Sequence, residues 1–165
     1  MITLVLGGTR SGKSAVAEEL AARGGGPVVY VATGSAEHGD TTMAERIARH
    51  RDRRPASWST VEAGRALADA LAAQPTGTVL VDALGTWVAA HPDLDPDVEP
   101  LIAALAGRHG DTVVVSDEVG LGVHPSTDVG RRFRDVLGQV NTAVADIADD
   151  VVFVIAGRVL PLLRP

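Results

Sequence analysis

The chain has 165 residues, 45% of them apolar and 22% charged, which is enough for one hydrophobic core and leaves no call for a second. No stretch approaches the ~20 consecutive apolar residues of a membrane helix, and a net charge of −6 argues against nucleic acid as the main partner. Cysteine is absent, so disulfides and thiolate metal sites are excluded; together with a start that enters a strand without a basic-then-apolar leader, this points to the cytoplasm.

The first element is the apolar run Ile2-Thr3-Leu4-Val5-Leu6, and it leads directly into Gly7-Gly8-Thr9-Arg10-Ser11-Gly12-Lys13-Ser14. That octapeptide fits the pattern G-x-x-x-x-G-K-[ST], and residues 14–23 behind it have helical spacing. A phosphate loop works only between a buried strand and a helix N-terminus, and this one has both. Glycines at 7, 8 and 12 let backbone N–H groups close around anionic oxygens. The helix start adds its positive dipole end. Lys13 is expected to reach the β- and γ-phosphates of a nucleoside triphosphate, and the Ser14 hydroxyl to ligate Mg²⁺.

Further apolar runs follow at 28–32, 78–81, 112–115 and 151–155. They are apolar throughout rather than alternating, as expected of strands covered by helices on both faces. Helices are predicted at 42–53, 62–73, 96–107 and 129–148. The third is predicted to open with Asp95 as N-cap and Pro96 in its first turn. The last carries Phe133, Val136, Leu137, Val140, Val144 and Ile147 on one stripe that should pack on the sheet. Strands alternating with helices give an α/β, P-loop NTPase-like fold, a mostly parallel doubly wound sheet flanked by helices, with residues 1–165 forming a single nucleotide-binding catalytic domain.

Three acidic positions fall at predicted strand ends. Asp82 follows Val79-Leu80-Val81, where it could hold Mg²⁺ or simply cap the next loop. Asp117 and Glu118 follow the 112–115 strand on the same sheet edge, where ligands collect in open α/β folds; either could serve metal or substrate, and one of them should only shape the loop. The histidines at 38, 91, 109 and 124 lack metal-ligand spacing. Trp58 and Trp87 read as packing residues.

The predicted helix 42–53 is the most concentrated charge feature. Thr42 and Glu45 form a capping box at its start. Met43, Ile47 and His50 share one face, Arg46, Arg49 and Arg53 line another, and residues 46–54 hold five arginines and one histidine. Such a run is commonly a solvated face. The alternative is that guanidinium groups clamp a triphosphate while keeping the His50 imidazole neutral and nucleophilic, so that attack on the α-phosphorus expels pyrophosphate.

Taken together these segments resemble the adenosylcobinamide kinase / adenosylcobinamide-phosphate guanylyltransferase family of cobalamin biosynthesis. The likeness runs through the phosphate loop, Tyr30 to Thr33, Arg46-Ile47 through His50, Arg54-Pro55, Trp58, Thr60, Glu62 and Val81-Asp82. It continues through Glu118-Val119-Gly120-Leu121-Gly122-Val123, the segment 130–135, Gly138 and Asn141. The resemblance implies phosphorylation of adenosylcobinamide by ATP or GTP, then transfer of GMP from GTP to adenosylcobinamide phosphate through a GMP–histidine intermediate at His50. It also implies nucleotide contacts from the phosphate loop, Thr33, Gly34, Ser35, Arg51, Asp52, Arg53, Arg54, Glu62 and Asp82, and a homotrimer. Glu62 and Asp82 could read guanine or ribose, or hold Mg²⁺. A single-activity small-molecule kinase and a non-catalytic GTP-binding regulator are the competing readings of the same loop.

Overall fold

The computed structural model describes residues 1–34 and 55–164. Its centre is a seven-stranded sheet: β1 (Ile2–Gly7), β2 (Val28–Ala32), β3 (Ser59–Glu62), β4 (Thr78–Asp82), β5 (Thr112–Asp117), β6 (Asp150–Ile155) and β7 (Arg158–Leu162). The order across the sheet is β3-β2-β4-β5-β1-β6-β7. All neighbours pair in parallel except β6 and β7, which form an antiparallel hairpin.

The two periodicities of the strands explain the two cores. In β1, Leu4 and Leu6 face one side of the sheet, where they join Val31, Val79, Val81 and Val114 under the helices α2 (Leu67–Ala72), α3 (Leu84–Ala90), α4 (Glu99–Ala106) and α5 (Asp128–Ile147). Val5 faces the other side with Val28, Tyr30, Leu80, Val115 and Val154, against α1 (Lys13–Ala22). Both faces of the central strands are therefore dry, which is why their sequences do not alternate. The α1 face is closed by small residues, Ala17 and Ala21, both buried, so that helix lies close on the sheet.

The predicted stripe on α5 packs as expected. Leu137, Val140 and Val144 are fully buried, with Phe133, Val136 and Ile147 half-buried beside them. Elsewhere the element boundaries differ from the sequence expectation. Residues 59–62 form a parallel strand on β2, with Tyr30 opposite Thr60 and Ala32 opposite Glu62, so Glu62 ends a strand rather than starting a helix. The helix predicted over 62–73 is only α2, a six-residue turn and a half. Pairing to an available strand edge outweighs weak local propensity there.

Residues 84–90 form a helix that the sequence did not announce. The 96–107 helix begins at Glu99, with Val98 at its N-cap and Pro100 in its first turn. Asp95 instead closes the short 3-10 turn Pro92–Leu94, its N–H donating to the Pro92 carbonyl. The β6–β7 hairpin was also unanticipated; Ala156 and Gly157 at its tip both take positive φ, 49° and 72°. The predicted helix 42–53 lies outside the described residues.

Candidate active site

Because β1 to β6 run in parallel, Gly7, Ala32, Glu62, Asp82, Asp117 and Ile155 all reach the same edge of the sheet. The chain leaves β1 through α1 to β2 on one side of the sheet, whereas β6 pairs on the other side of β1. The loop after β1 therefore stands where connections diverge in opposite directions, the place where open α/β sheets bind ligands.

That loop has the backbone of a phosphate cradle. Ser11 N–H donates to the Gly8 carbonyl at 3.2 Å and Val16 N–H to the Gly12 carbonyl at 3.1 Å, so the last glycine caps α1 directly. Gly12 has φ +94°, a conformation that residues with a Cβ rarely adopt, and a Cβ there would come within 3.2 Å of the Gly157 Cα. At Gly7 the constraint is space: a Cβ would lie 2.6 Å from Ser11 Oγ and 2.8 Å from the Val154 carbonyl oxygen. A second support comes from the β6–β7 tip, where Gly157 N–H donates to the Ser11 carbonyl at 2.7 Å.

Lys13 is buried, its side chain only 5% exposed. Its Nζ lies 2.6 Å from Asp117 Oδ1 and donates to the Gly8 carbonyl at 3.2 Å. The register sets this pairing, because Gly7 of β1 lies opposite Asp117 of β5. Asp117 is itself fixed from behind. Its carbonyl accepts from Asn141 Nδ2 at 3.1 Å, and Asn141 Oδ1 accepts from the buried Ser116 hydroxyl at 2.5 Å. Glu118 does the loop-shaping work: its N–H donates to the Gly7 carbonyl, and its carboxylate accepts from Gly120 N–H at 2.6 Å.

Asp82 lies at the end of β4, opposite Ala32, and its Oδ2 accepts a hydrogen bond from the Tyr30 hydroxyl at 2.9 Å. Glu62 flanks Ala32 from the other side and is exposed. Two strand spacings, roughly 10 Å, separate the two carboxylate-bearing positions. Thr33 is buried between them and binds the start of α3: its hydroxyl donates to the Ala83 carbonyl at 2.6 Å and accepts from Ala83 N–H at 2.9 Å. Gly34 follows it, against Thr86. Ser14, in the first turn of α1, is buried as well. Ser14 and Asp82 both offer hard oxygen donors of the kind Mg²⁺ takes.

The structure thus brings the phosphate loop, Thr33, Gly34, Glu62 and Asp82 to one sheet edge. Ser35, His50, Arg51, Asp52, Arg53 and Arg54 lie outside the described residues. Three contributors went unread as site residues in the sequence. Tyr30 is the chain's one tyrosine, set in an aliphatic strand. Asn141 is a polar residue inside the buried stripe of α5, a signal that was available. Gly157 belongs to a hairpin whose turn has no Asn-Gly signature. Trp87 packs in the core, its Nε1 donating to the Arg65 carbonyl at 3.2 Å, and Trp58 packs half-buried on the α1 side.

A glycine-rich loop closing on a buried lysine, between a central parallel strand and a helix, defines a P-loop nucleotide-binding α/β protein. Consistent with that fold, the chain superposes on the ATPase of a solved structure described as a prototypical ATPase from the type III secretion system of pathogenic bacteria. The TM-score is 0.51 at 13% identity, over 92% of this chain and 50% of that one. Within this class the chain belongs to the cobinamide kinase / cobinamide phosphate guanyltransferase family, whose pattern matches residues 3–162. It is 42% identical to the bifunctional adenosylcobalamin biosynthesis protein CobP of Pseudomonas aeruginosa, over 98% of this chain and 97% of that protein. It is 36% identical to the bifunctional adenosylcobalamin biosynthesis protein CobU of Salmonella typhimurium, over 95% and 97% respectively.

Proposed function

We propose that the chain, as one catalytic domain, first phosphorylates the aminopropanol hydroxyl of adenosylcobinamide with ATP or GTP. It then transfers GMP from GTP to that phosphate, giving adenosylcobinamide-GDP and pyrophosphate. The observation that carries this reading is the family match across residues 3–162 on a chain whose lysine-bearing loop is folded for phosphate.

In the kinase step, N–H groups of residues 8–14 and the Lys13 ammonium hold the triphosphate. The substrate oxygen bonds to the γ-phosphorus as the β–γ bridge breaks; ADP or GDP leaves with the bridging oxygen, and the hydroxyl proton passes to solvent. Ser14 and Asp82 would hold Mg²⁺, which when bound offsets the charge of the transferring phosphoryl group.

In the second step a ring nitrogen of neutral His50 bonds to the α-phosphorus of GTP, the α–β bridge breaks and pyrophosphate leaves. A phosphate oxygen of adenosylcobinamide phosphate then bonds to that phosphorus while the P–N bond breaks, returning the imidazole lone pair. Arg51, Arg53 and Arg54 clamp the phosphates bidentately. Asp52, Thr33, Gly34 and Ser35 line the nucleotide, and Glu62 faces its ribose or base.

The domain works as a homotrimer in the cytoplasm. Exposed Val159, Leu160 and Leu162 on the edge strand β7 support an assembly. No helix among the described residues is long and apolar enough to cross a membrane.

The test is to incubate the protein with Mg²⁺ and α-phosphate-labelled GTP, beside His50→Ala. Acid-labile covalent label with pyrophosphate release on wild type alone is the expected result. Absence of label on a wild type that binds GTP would reject guanylyl transfer and leave a simple kinase or a GTP-binding regulator.

A further inference from the structure

The Lys13–Asp117 pair has a consequence for which form of the nucleotide the loop accepts. A phosphate-loop lysine ordinarily brings a net positive charge to the phosphates. Here that charge is already met, by a carboxylate oxygen at 2.6 Å in a contact where the lysine is 5% exposed and the aspartate 28%. With so little water around the lysine, screening is weak and the two charges largely cancel.

The pair is also held in place rather than adventitious. Asp117 is anchored through its carbonyl by Asn141. Its other carboxylate oxygen lies where only a glycine fits, since a Cβ on Gly85 would come within 2.6 Å of Asp117 Oδ2. Of the three ammonium donors of Lys13, one meets Asp117 and one the Gly8 carbonyl, which leaves one for a phosphate oxygen. The lysine can therefore bind phosphate without releasing Asp117, and the carboxylate stays beside the triphosphate.

We infer that Asp117 is a specificity-determining residue that makes the site select the metal-complexed nucleotide over the free polyanion. With Lys13 neutralised by Asp117, the loop itself adds no net positive charge at this point, so a divalent cation arriving with the nucleotide supplies it there, and a bare triphosphate meets a fixed carboxylate instead. The inference rests on the nucleotide-binding reading of the loop, and it does not depend on which acceptor the nucleotide serves.

The experiment is calorimetric titration of wild type, Asp117→Asn and Asp117→Ser with GTP in excess Mg²⁺ and with GTP in EDTA. Asparagine keeps an oxygen that can accept from Lys13 while removing the charge, serine removes the charge with a shorter hydroxyl, and both are small enough to sit beside Gly85. If Asn proves unstable in a thermal melt, Ser carries the comparison. Removing one unit charge next to the phosphates is expected to tighten metal-free GTP by about tenfold. Binding of the magnesium complex should change several-fold less, so the ratio of the two dissociation constants collapses by close to an order of magnitude. A purely structural Asp117 would weaken both forms together and leave the ratio at its wild-type value, which overturns the inference. Wild type failing to bind either form of GTP would overturn the nucleotide reading of the loop, and this inference with it.

Discussion

Replacing Asn141 by alanine removes the side chain that, among the described residues, hydrogen-bonds helix α5 to the end of β5. The amide makes two hydrogen bonds there, accepting from Ser116 Oγ at 2.5 Å and donating to the Asp117 carbonyl at 3.1 Å. Each is worth about 1 kcal/mol net, and a polar group left buried without a partner costs about 1–3 kcal/mol more. Ser116 is fully buried and takes that penalty, whereas Asp117 is only half-buried, so its carbonyl recovers part of the loss. The sum is about 3 kcal/mol, which for a domain of this size lowers Tm by roughly 9 °C. The asymmetry supplies the sharper test. In the double variant Ser116→Ala with Asn141→Leu, the buried Ser116–Asn141 pair is replaced by apolar groups of similar branching, so about 1–2 kcal/mol should return relative to the sum of the single changes. Urea unfolding of wild type, Asn141→Ala, Ser116→Ala, Asn141→Leu and the double variant measures all the terms. Strict additivity, or an Asn141→Ala change below about 0.5 kcal/mol, would refute the claim that this network fixes the carboxylate that meets Lys13.

Two further substitutions probe the backbone around the loop. Gly12→Ala places a Cβ at φ +94° and 3.2 Å from the Gly157 Cα; it should cost about 1–3 kcal/mol and weaken nucleotide binding, as read by melting and titration. A variant with wild-type stability and affinity would count against the loop backbone described here. Ala156→Asn should do the opposite. Ala156 holds φ +49° at the first tip position of a two-residue hairpin, where asparagine is favoured, so Tm should rise by a degree or more for a gain of up to about 1 kcal/mol. An unchanged or lowered Tm would argue that the β6–β7 tip is not strained at that position.

The strands that could be read from the sequence were the buried β1, β2, β4 and β5, together with the half-buried β6. Their β-branched runs carry the signal locally, and a glycine pattern followed by Lys13-Ser14 states its own geometry. Residues 59–62 were missed because Ser59 and Thr60 are exposed and the strand exists only by pairing with β2. The start of α4 was misplaced because two prolines, Pro96 and Pro100, both suit the first turn; Pro96 lies buried in the irregular stretch before the helix, and Pro100 takes the role. The carboxylates at 82, 117 and 118 were legible as a set, since each follows an apolar run. Their division of labour was not. Nothing local distinguishes Asp117, which meets Lys13, from Glu118, which braces the loop, because the difference is one residue of strand register.

The sequence by itself determined that a phosphate loop sits between a buried strand and a helix in a parallel α/β protein, and it carried the resemblance that the family match bears out. These are local properties: glycine spacing, apolar periodicity and the residue types that strands and helix starts require. Tertiary structure alone decided that β5 lies beside β1, so that Asp117 neutralises Lys13. It also decided that Tyr30 supports Asp82 across β2 and β4, and that Gly157 braces Ser11 from a hairpin at the far end of the chain. Sheet order and register place those pairs. Both are set by how the whole set of apolar faces is buried, which no short stretch of the sequence contains.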